Sequence, residues 1–352
     1  MNLAEALRYY SREDVQSALI ALSNKREVVG VYKNGEYSTR PNTLVYPQDI
    51  LAMVRGGVLE FHTSIEHWSN PMAIKQGNYQ ELRTGWDLVF DVDCERFEHG
   101  VEGAKVLAWA LEKHGVEGLS AKFTGGTGWH LGVPWAAIPK ELDFKPTVRM
   151  FPDLARRVCS YLKGFTRERL EEAMLKLGSP EQLAEQAGKP LSRILDKKSA
   201  IDPWQVIELD PVLVSPRHLF RAAYSLHKNS GLVSVPVKPE YIGAFKREDA
   251  APEKIDTKLG FLDRAEENEA EGLILETADW WRRVRKEERK VPRKPIAFTQ
   301  KIGPELFPPC AREILKGVAD GRKRSVFIML NFLRHMRWGW PEIEQELLEW
   351  NK

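Results

Sequence analysis

Cysteine is scarce in this 352-residue chain: Cys94, Cys159 and Cys310 stand far apart. Three such residues exclude a disulfide framework and a four-cysteine zinc site. They fit a reducing compartment, and a cytoplasmic location is expected. No window approaches ~18 consecutive apolar residues, so neither a membrane-spanning helix nor a membrane partner is expected. The opening MNLAEALRYYSRED is charged within its first five residues and has no apolar core of a secretory leader. Internal repeats and low-complexity tracts are absent as well. So is net charge: 52 Lys and Arg face 50 Asp and Glu, leaving +2, and bulk charge therefore says little about partners. What is present is a globular composition, 43% hydrophobic and 29% charged, with length for roughly two domains at ~150 residues each.

Charge is uneven locally. Residues 262–279 carry seven acids and one base, and residues 281–294 carry eight bases and two acids. The flip suits either a phosphate-binding stripe or two solvated helix faces that pair with each other.

Periodicity divides the chain further. The first 30 residues read as helical, with Ser11 and Asp14 spaced as a capping box. WDLVFDVD (86–93) reads as a strand, 104–114 as a helix ending at Gly115, and LSAKFTGGTGWHLGVP (119–134) as strand, glycine turn, strand. A helical insertion is expected over about 147–200 and a return to strand at 204–214. A helix or loop and a hairpin then follow to about 237. Residues 246–300 read as a charged helical linker, and 301–352 as a small helical domain.

Three segments carry residues suited to chemistry. In WDLVFDVD, alternation puts Trp86, Leu88, Phe90 and Val92 on one face and Asp87, Val89, Asp91 and Asp93 on the other. Asp91 and Asp93 then lie about 6.5–7 Å apart with no base between them. A divalent cation such as Mg²⁺ would relieve that repulsion. Alternatively they are ordinary surface carboxylates. In Thr124-Gly125-Gly126-Thr127-Gly128-Trp129-His130, glycines free backbone N–H groups for an anion, and His130 emerges beside them. A tight hairpin with an incidental histidine reads equally well. In the third segment Val206, Glu208 and Asp210 share a face, followed by Arg221, His227 and Lys228 around an Asn229-Ser230-Gly231 turn. Carboxylates for metal and bases for phosphate oxygens are what a nucleoside triphosphate needs.

Taken in order, FDVD, TGGTGWH and ELDPVLVSPRHLFRAAYSLHKNSGLVSVPV resemble the three motifs of the archaeo-eukaryotic primase superfamily, most closely the small, catalytic subunit of archaeal DNA primase. The resemblance covers roughly residues 1–245. It implies an α+β primase catalytic core, an RRM-like antiparallel sheet with flanking helices, and template-directed nucleotidyl transfer with two Mg²⁺ or Mn²⁺ ions. By that resemblance Asp91, Asp93 and Asp210 are the catalytic metal ligands, with Glu208 open as the third acid because the Asp210–His218 spacing is one residue short. Thr124, Gly125, Gly126, Thr127, His130, Arg221, His227 and Lys228 would bind the nucleotide. The family's motif II often has arginines where this chain has Gly126 and Thr127, and its cysteine-rich zinc site has no counterpart here.

Phe307-Pro308-Pro309-Cys310 and FIMLNFLRHMRWGWPEIEQELL resemble the start of the C-terminal domain found in the large chain of primase, which implies a fusion of the small and large chains. One cysteine is too few for that family's iron–sulfur cluster, so no complete cluster is expected. The implied partners are a single-stranded DNA template, NTPs or dNTPs, an RNA or DNA primer, and replication proteins. The alternatives are a primer-dependent repair polymerase of the same superfamily and a non-catalytic nucleic-acid-binding module.

Overall fold

The computed structural model describes residues 2–209, 215–290, 298–318 and 321–351, without the side chains of 286–290. It is an α+β protein, as the sequence led one to expect. Two compact units divide it, Met1–Arg285 and Lys286–Lys352.

The first unit opens with α1 (Leu3–Tyr10) and α2 (Glu13–Ser23), which pack Ala6, Tyr9, Tyr10, Val15 and Leu19 into the core. The expected Ser11/Asp14 capping box does not form. Ser11 instead ends α1, its hydroxyl donating to the Leu7 carbonyl, and Asp14 pairs with Arg12 at 2.7 Å. The strands follow: β1 (Val28–Tyr32), β2 (Val58–Ser64) after α3 (Pro47–Arg55), β3 (Glu66–Trp68), and β4 (Arg83–Trp86) after α4 (Tyr79–Leu82). Then come β5 (Leu88–Asp93), α5 (Phe97–Lys113), β6 (Ser120–Phe123), β7 (Trp129–Val133), and the short pair β8 (Glu141–Leu142) and β9 (Lys145–Pro146).

The helical insertion is α6 (Asp153–Leu175), α7 (Pro180–Gln186), α8 (Leu191–Ile194) and α9 (Pro203–Val206). It belongs to the same core, since α6 buries Leu154, Val158, Leu162, Leu170 and Met174. The return to strand is brief: β10 is Glu208–Leu209, and residues 210–214 lie outside those described. β11 (Leu219–Arg221) and β12 (Pro236–Val237) complete the set.

Two antiparallel sheets position the site. One has the order β1-β2-β11 and the other β10-β5-β7-β6-β12. The run Leu88-Val89-Phe90 is apolar at successive positions because β5 lies between β10 and β7 and is covered on both faces there, with all three residues at most 5% exposed. Phe220 of β11 lies over the other sheet, its ring 6.0 Å from that of His130.

The stretch 246–300 was expected as a linker. Up to Arg285 it is instead part of the first unit, because Ile255, Phe261, Ala270, Leu273 and Ile274 are buried in its core. One helix, α10 (Glu271–Lys290), carries acids and bases of both charge blocks. Glu276 accepts from the Tyr161 hydroxyl at 2.8 Å and Asp279 pairs with Arg282 at 2.6 Å. Arg282 makes a bidentate pair with Asp143.

The second unit is helical: α11 (Pro309–Leu315), α12 (Arg322–His335) and α13 (Trp340–Trp350). They enclose a small core of Phe307, Ala311, Met329, Leu333, Met336 and Ile343. Cys310 is exposed.

Candidate active site

Register dictates the centre of the site. Across three neighbouring strands, Asp91 pairs with His130 and His130 pairs with Lys122, so the three side chains share one face. Asp91 Oδ1 lies 3.3 Å from His130 Nε2. Burial drives the His130 imidazole down to about 4, helped by the Lys122 charge. It is therefore neutral at pH 7, with Nε2 facing the Asp91 carboxylate, and its buried Nδ1 has no partner among the described residues. Burial pushes the Asp91 carboxyl up, but His130 together with the Lys122 and Arg221 charges outweighs it and holds the group below its ordinary value.

Asp93 ends the same strand and is exposed, with the Cys94 N–H donating to it at 2.9 Å. Burial raises its pKa, and the charges of Asp91, Glu208 and Glu95 add to that. Glu208 sits directly opposite Asp93 on β10, where its carboxylate pairs with Lys189 at 2.9 Å. Asp210 lies outside the described residues. Among the described residues no three His, Cys, Asp or Glu side chains converge closely enough to enclose a metal ion. Two crowded carboxylates with, among the described residues, no cationic side chain bonded to Asp93 nevertheless fit a hard cation, and their all-oxygen donors suit Mg²⁺ or Mn²⁺.

Asp87 is a different case. Alternation placed it with Asp91 and Asp93, but residue 87 falls in the break between β4 and β5. It is buried against Arg26 at 2.6 Å, His67 at 2.9 Å and the Trp135 N–H at 2.8 Å. These partners hold its pKa well below the ordinary value despite burial.

The glycine turn forms where it was expected. Gly125 has φ +89°, and a Cβ on Gly128 would lie 2.6 Å from the Val92 carbonyl oxygen, so the turn can close against the end of β5 only with glycine there. Thr124 and Thr127 anchor the turn by donating to the carbonyls of Gly128 and Cys94. Each hydroxyl thus spends its proton on the turn. Backbone N–H groups at Gly125, Gly126 and Thr127 donate to nothing among the described residues, as an anion cradle requires.

Across the turn lies a group from the other sheet and its hairpin. Arg221 donates Nη1 to the Thr124 carbonyl at 3.0 Å and Nη2 to Glu60 at 3.3 Å. Its buried Nε has no partner among the described residues. Glu60 is buried, and burial raises its pKa. His62, Arg221 and the Lys228 N–H reverse that and bring it to about 2. The ring of His227 lies along Gly125 and Gly126, with Nδ1 accepting from the Ser230 N–H at 3.1 Å. Burial and Arg221 lower it to about 4. Ser230 ties the hairpin to the turn, donating to the Gly125 carbonyl at 2.6 Å. Lys228 engages Glu60 through its main chain, and its ammonium reaches the turn at Gly35.

Sequence reading missed several residues here. Lys122 is fully buried, donates to Ser234 Oγ at 2.7 Å and lies over the rings of Phe220 and Phe261. Burial, then the Arg221 charge, pushes its pKa far down. The signal was available, since Ser120, Lys122 and Thr124 alternate onto the face of His130. Glu60 and His62 alternate likewise in LEFHTS. An open cleft of about 350 Å³ joins Asp91, His130, His62 and Arg221 to Arg40 and Arg217, which no local pattern announced.

Comparison with known proteins adds little. No family model matches the chain, and no curated protein matches it. A solved structure, the polymerase domain from Mycobacterium tuberculosis ligase D in complex with DNA, is similar with a TM-score of 0.42 and 16% identity over 79% of this chain and 89% of that one.

Proposed function

We propose that this chain is a template-directed nucleotidyltransferase, a DNA primase or primase-polymerase that builds primers on single-stranded DNA from NTPs or dNTPs. The observation that carries the reading is the juxtaposition at the sheet face. A crowded acid pair, Asp91 and Asp93, stands beside His130, and the glycine turn and Arg221 stand next to them. This order of groups along the chain is also the one that resembles the primase motifs.

Asp91 and Asp93 would hold the divalent ions, with Asp210 or Glu208 as the third acid. Bound there, such ions would supply Lewis-acid chemistry, lowering the pKa of a 3′-hydroxyl and offsetting the charge of a pyrophosphate leaving group. The chain's own residues do the positioning. His130 sets its Nε2 against the Asp91 carboxylate. The free amides of Gly125, Gly126 and Thr127 point donors at a phosphate group, with Arg221 alongside as a guanidinium held by Glu60. His227 closes the cradle over the two glycines, and an anion held there would raise its imidazole pKa.

The test is extension on a single-stranded template with Mg²⁺ or Mn²⁺, unprimed against primed and NTPs against dNTPs, with Asp91→Asn/Asp93→Asn as control. Unprimed product that disappears in the control supports a primase and reveals its sugar preference. Product only from a primer moves the reading to a primer-dependent polymerase. Activity that survives in the control overturns it.

A further inference from the structure

The far wall of the cleft holds a second cationic group that the nucleotide cradle does not use. Glu27 is fully buried and carries two arginines on its one carboxylate. Arg40 donates to it from Nε at 3.0 Å and Nη2 at 2.9 Å, and Arg217 from Nε at 3.2 Å and Nη2 at 2.5 Å. One carboxylate neutralises one guanidinium, so a net positive charge is left at this point. Both arginines stay partly open, 29% and 21% exposed, and both line the cleft that contains Asp91 and His130.

The pair is rigidly built. Arg40 Nη2 also donates to the Arg217 carbonyl at 2.9 Å, and the Arg217 N–H donates to the buried carboxylate of Glu66 at 2.5 Å. Arg217 sits at φ +61°, a strained backbone position for a non-glycine residue. Glu66 in turn is held by Arg83 at 2.6 Å. The surrounding ion pairs thus fix two planar forks at the mouth of a wet cleft. Planar forks with donors to spare are the side-chain geometry that binds phosphate oxygens.

We infer that Arg40 and Arg217 form a second phosphate-binding subsite, separate from the Gly125–Arg221–His227 cradle. Its ligand is a phosphate group, carried either by a nucleotide or by a nucleic-acid backbone. The inference shares the cleft with the proposed nucleotidyl-transfer site, but it is tested by binding alone and so stands or falls without the chemistry.

Arg40→Gln and Arg217→Gln each remove the surplus charge and leave Glu27 one guanidinium, so each variant keeps a complete buried ion pair; thermal melting checks that it folds. Two probes are titrated at several salt concentrations: dATP, and a single-stranded oligothymidylate. A nucleotide ligand predicts about tenfold weaker dATP binding with unchanged oligonucleotide affinity. A backbone ligand predicts weaker oligonucleotide binding and a salt slope smaller by about one, the signature of one lost phosphate contact. As a second measurement on the unaltered chain, phenylglyoxal labelling read by peptide mapping should show Arg40 and Arg217 protected by one probe. Wild-type affinity for both probes in a folded variant, or labelling of both arginines unchanged by either probe, overturns the inference.

Discussion

Two acidic regions of the first unit make opposite use of their carboxylates. In one, Glu27, Glu66 and Asp87 are all buried and are met by Arg26, Arg40, Arg83 and Arg217, so cations outnumber acids. In the other, among the described residues, no Lys or Arg is ion-paired to Asp91 or Asp93: a neutral histidine meets the first and a backbone N–H the second, with the Lys122 and Arg221 charges farther off. Asp87 and Asp91 are four residues apart in one run of sequence. What separates them is the company that the tertiary structure provides. Carboxylates with full partners hold the fold together, and carboxylates without them are left for something from outside. Asp91 of the one region and Arg40 and Arg217 of the other line the same cleft, and a metal-bound polyphosphate has both complementary charges.

The sharpest way to break this comparison is to exchange the expected costs. Asp91→Asn or Asp93→Asn should lower nucleotidyl transfer at least about 1,000-fold, the scale of a few kcal/mol of lost charge stabilisation, as measured by primer extension. Melting should be kept, and Asp93→Asn should raise it slightly, because burial and then like-charge crowding already disfavour the ionised Asp93 carboxyl. Asp87→Ala should do the reverse to the fold: stranding Arg26 in the interior costs about 3–5 kcal/mol, read by denaturant unfolding.

Metal should separate the regions next. Saturating Mn²⁺ should stabilise the protein by about 2.7 kcal/mol at a hundred times its dissociation constant, and Asp93→Asn should lose that gain.

Acid should act on the second region and its neighbours in a fixed order. His130 and His227 titrate at about 4 in the folded chain against an ordinary 6.5, so the unfolded chain binds protons first. Their contribution is complete above pH 6.5 and is lost as pH falls toward 4, so stability should rise with pH across that window. Glu60, lowered from 4.5 to about 2, adds a further loss between those values. Unfolding free energies measured from pH 7 to pH 3 check the order. The smallest effect belongs to the second unit, where Phe327 is 71% exposed: Phe327→Ala should shift stability by no more than about 0.5 kcal/mol.

Much of this was legible in the sequence wherever the signal was local. Strand alternation, the glycine turn and the helix over 153–175 are written in neighbouring residues, and Asp91, His130 and Arg221 line one cleft. The misreadings came from long-range contacts. Asp87 was placed with Asp91 because alternation is blind to a strand break and to Arg26 sixty residues earlier. Ser11 looked like a cap because its spacing to Asp14 was right, yet the chain gave Asp14 to Arg12. The charged stretch before Arg285 reads as linker because its few apolar residues, Phe261 and Leu273 among them, are spread out, and burial depends on what they meet. The Arg40–Glu27–Arg217 bridge joins three segments whose ends are 190 residues apart, and no window contains it.

The most direct test of the account is Mn²⁺ binding followed by electron paramagnetic resonance on the wild type and on Asp91→Asn/Asp93→Asn, with and without dATP. The account predicts binding by the wild type that tightens with dATP and falls at least about tenfold in the double variant. Equal Mn²⁺ binding by the two proteins would contradict it.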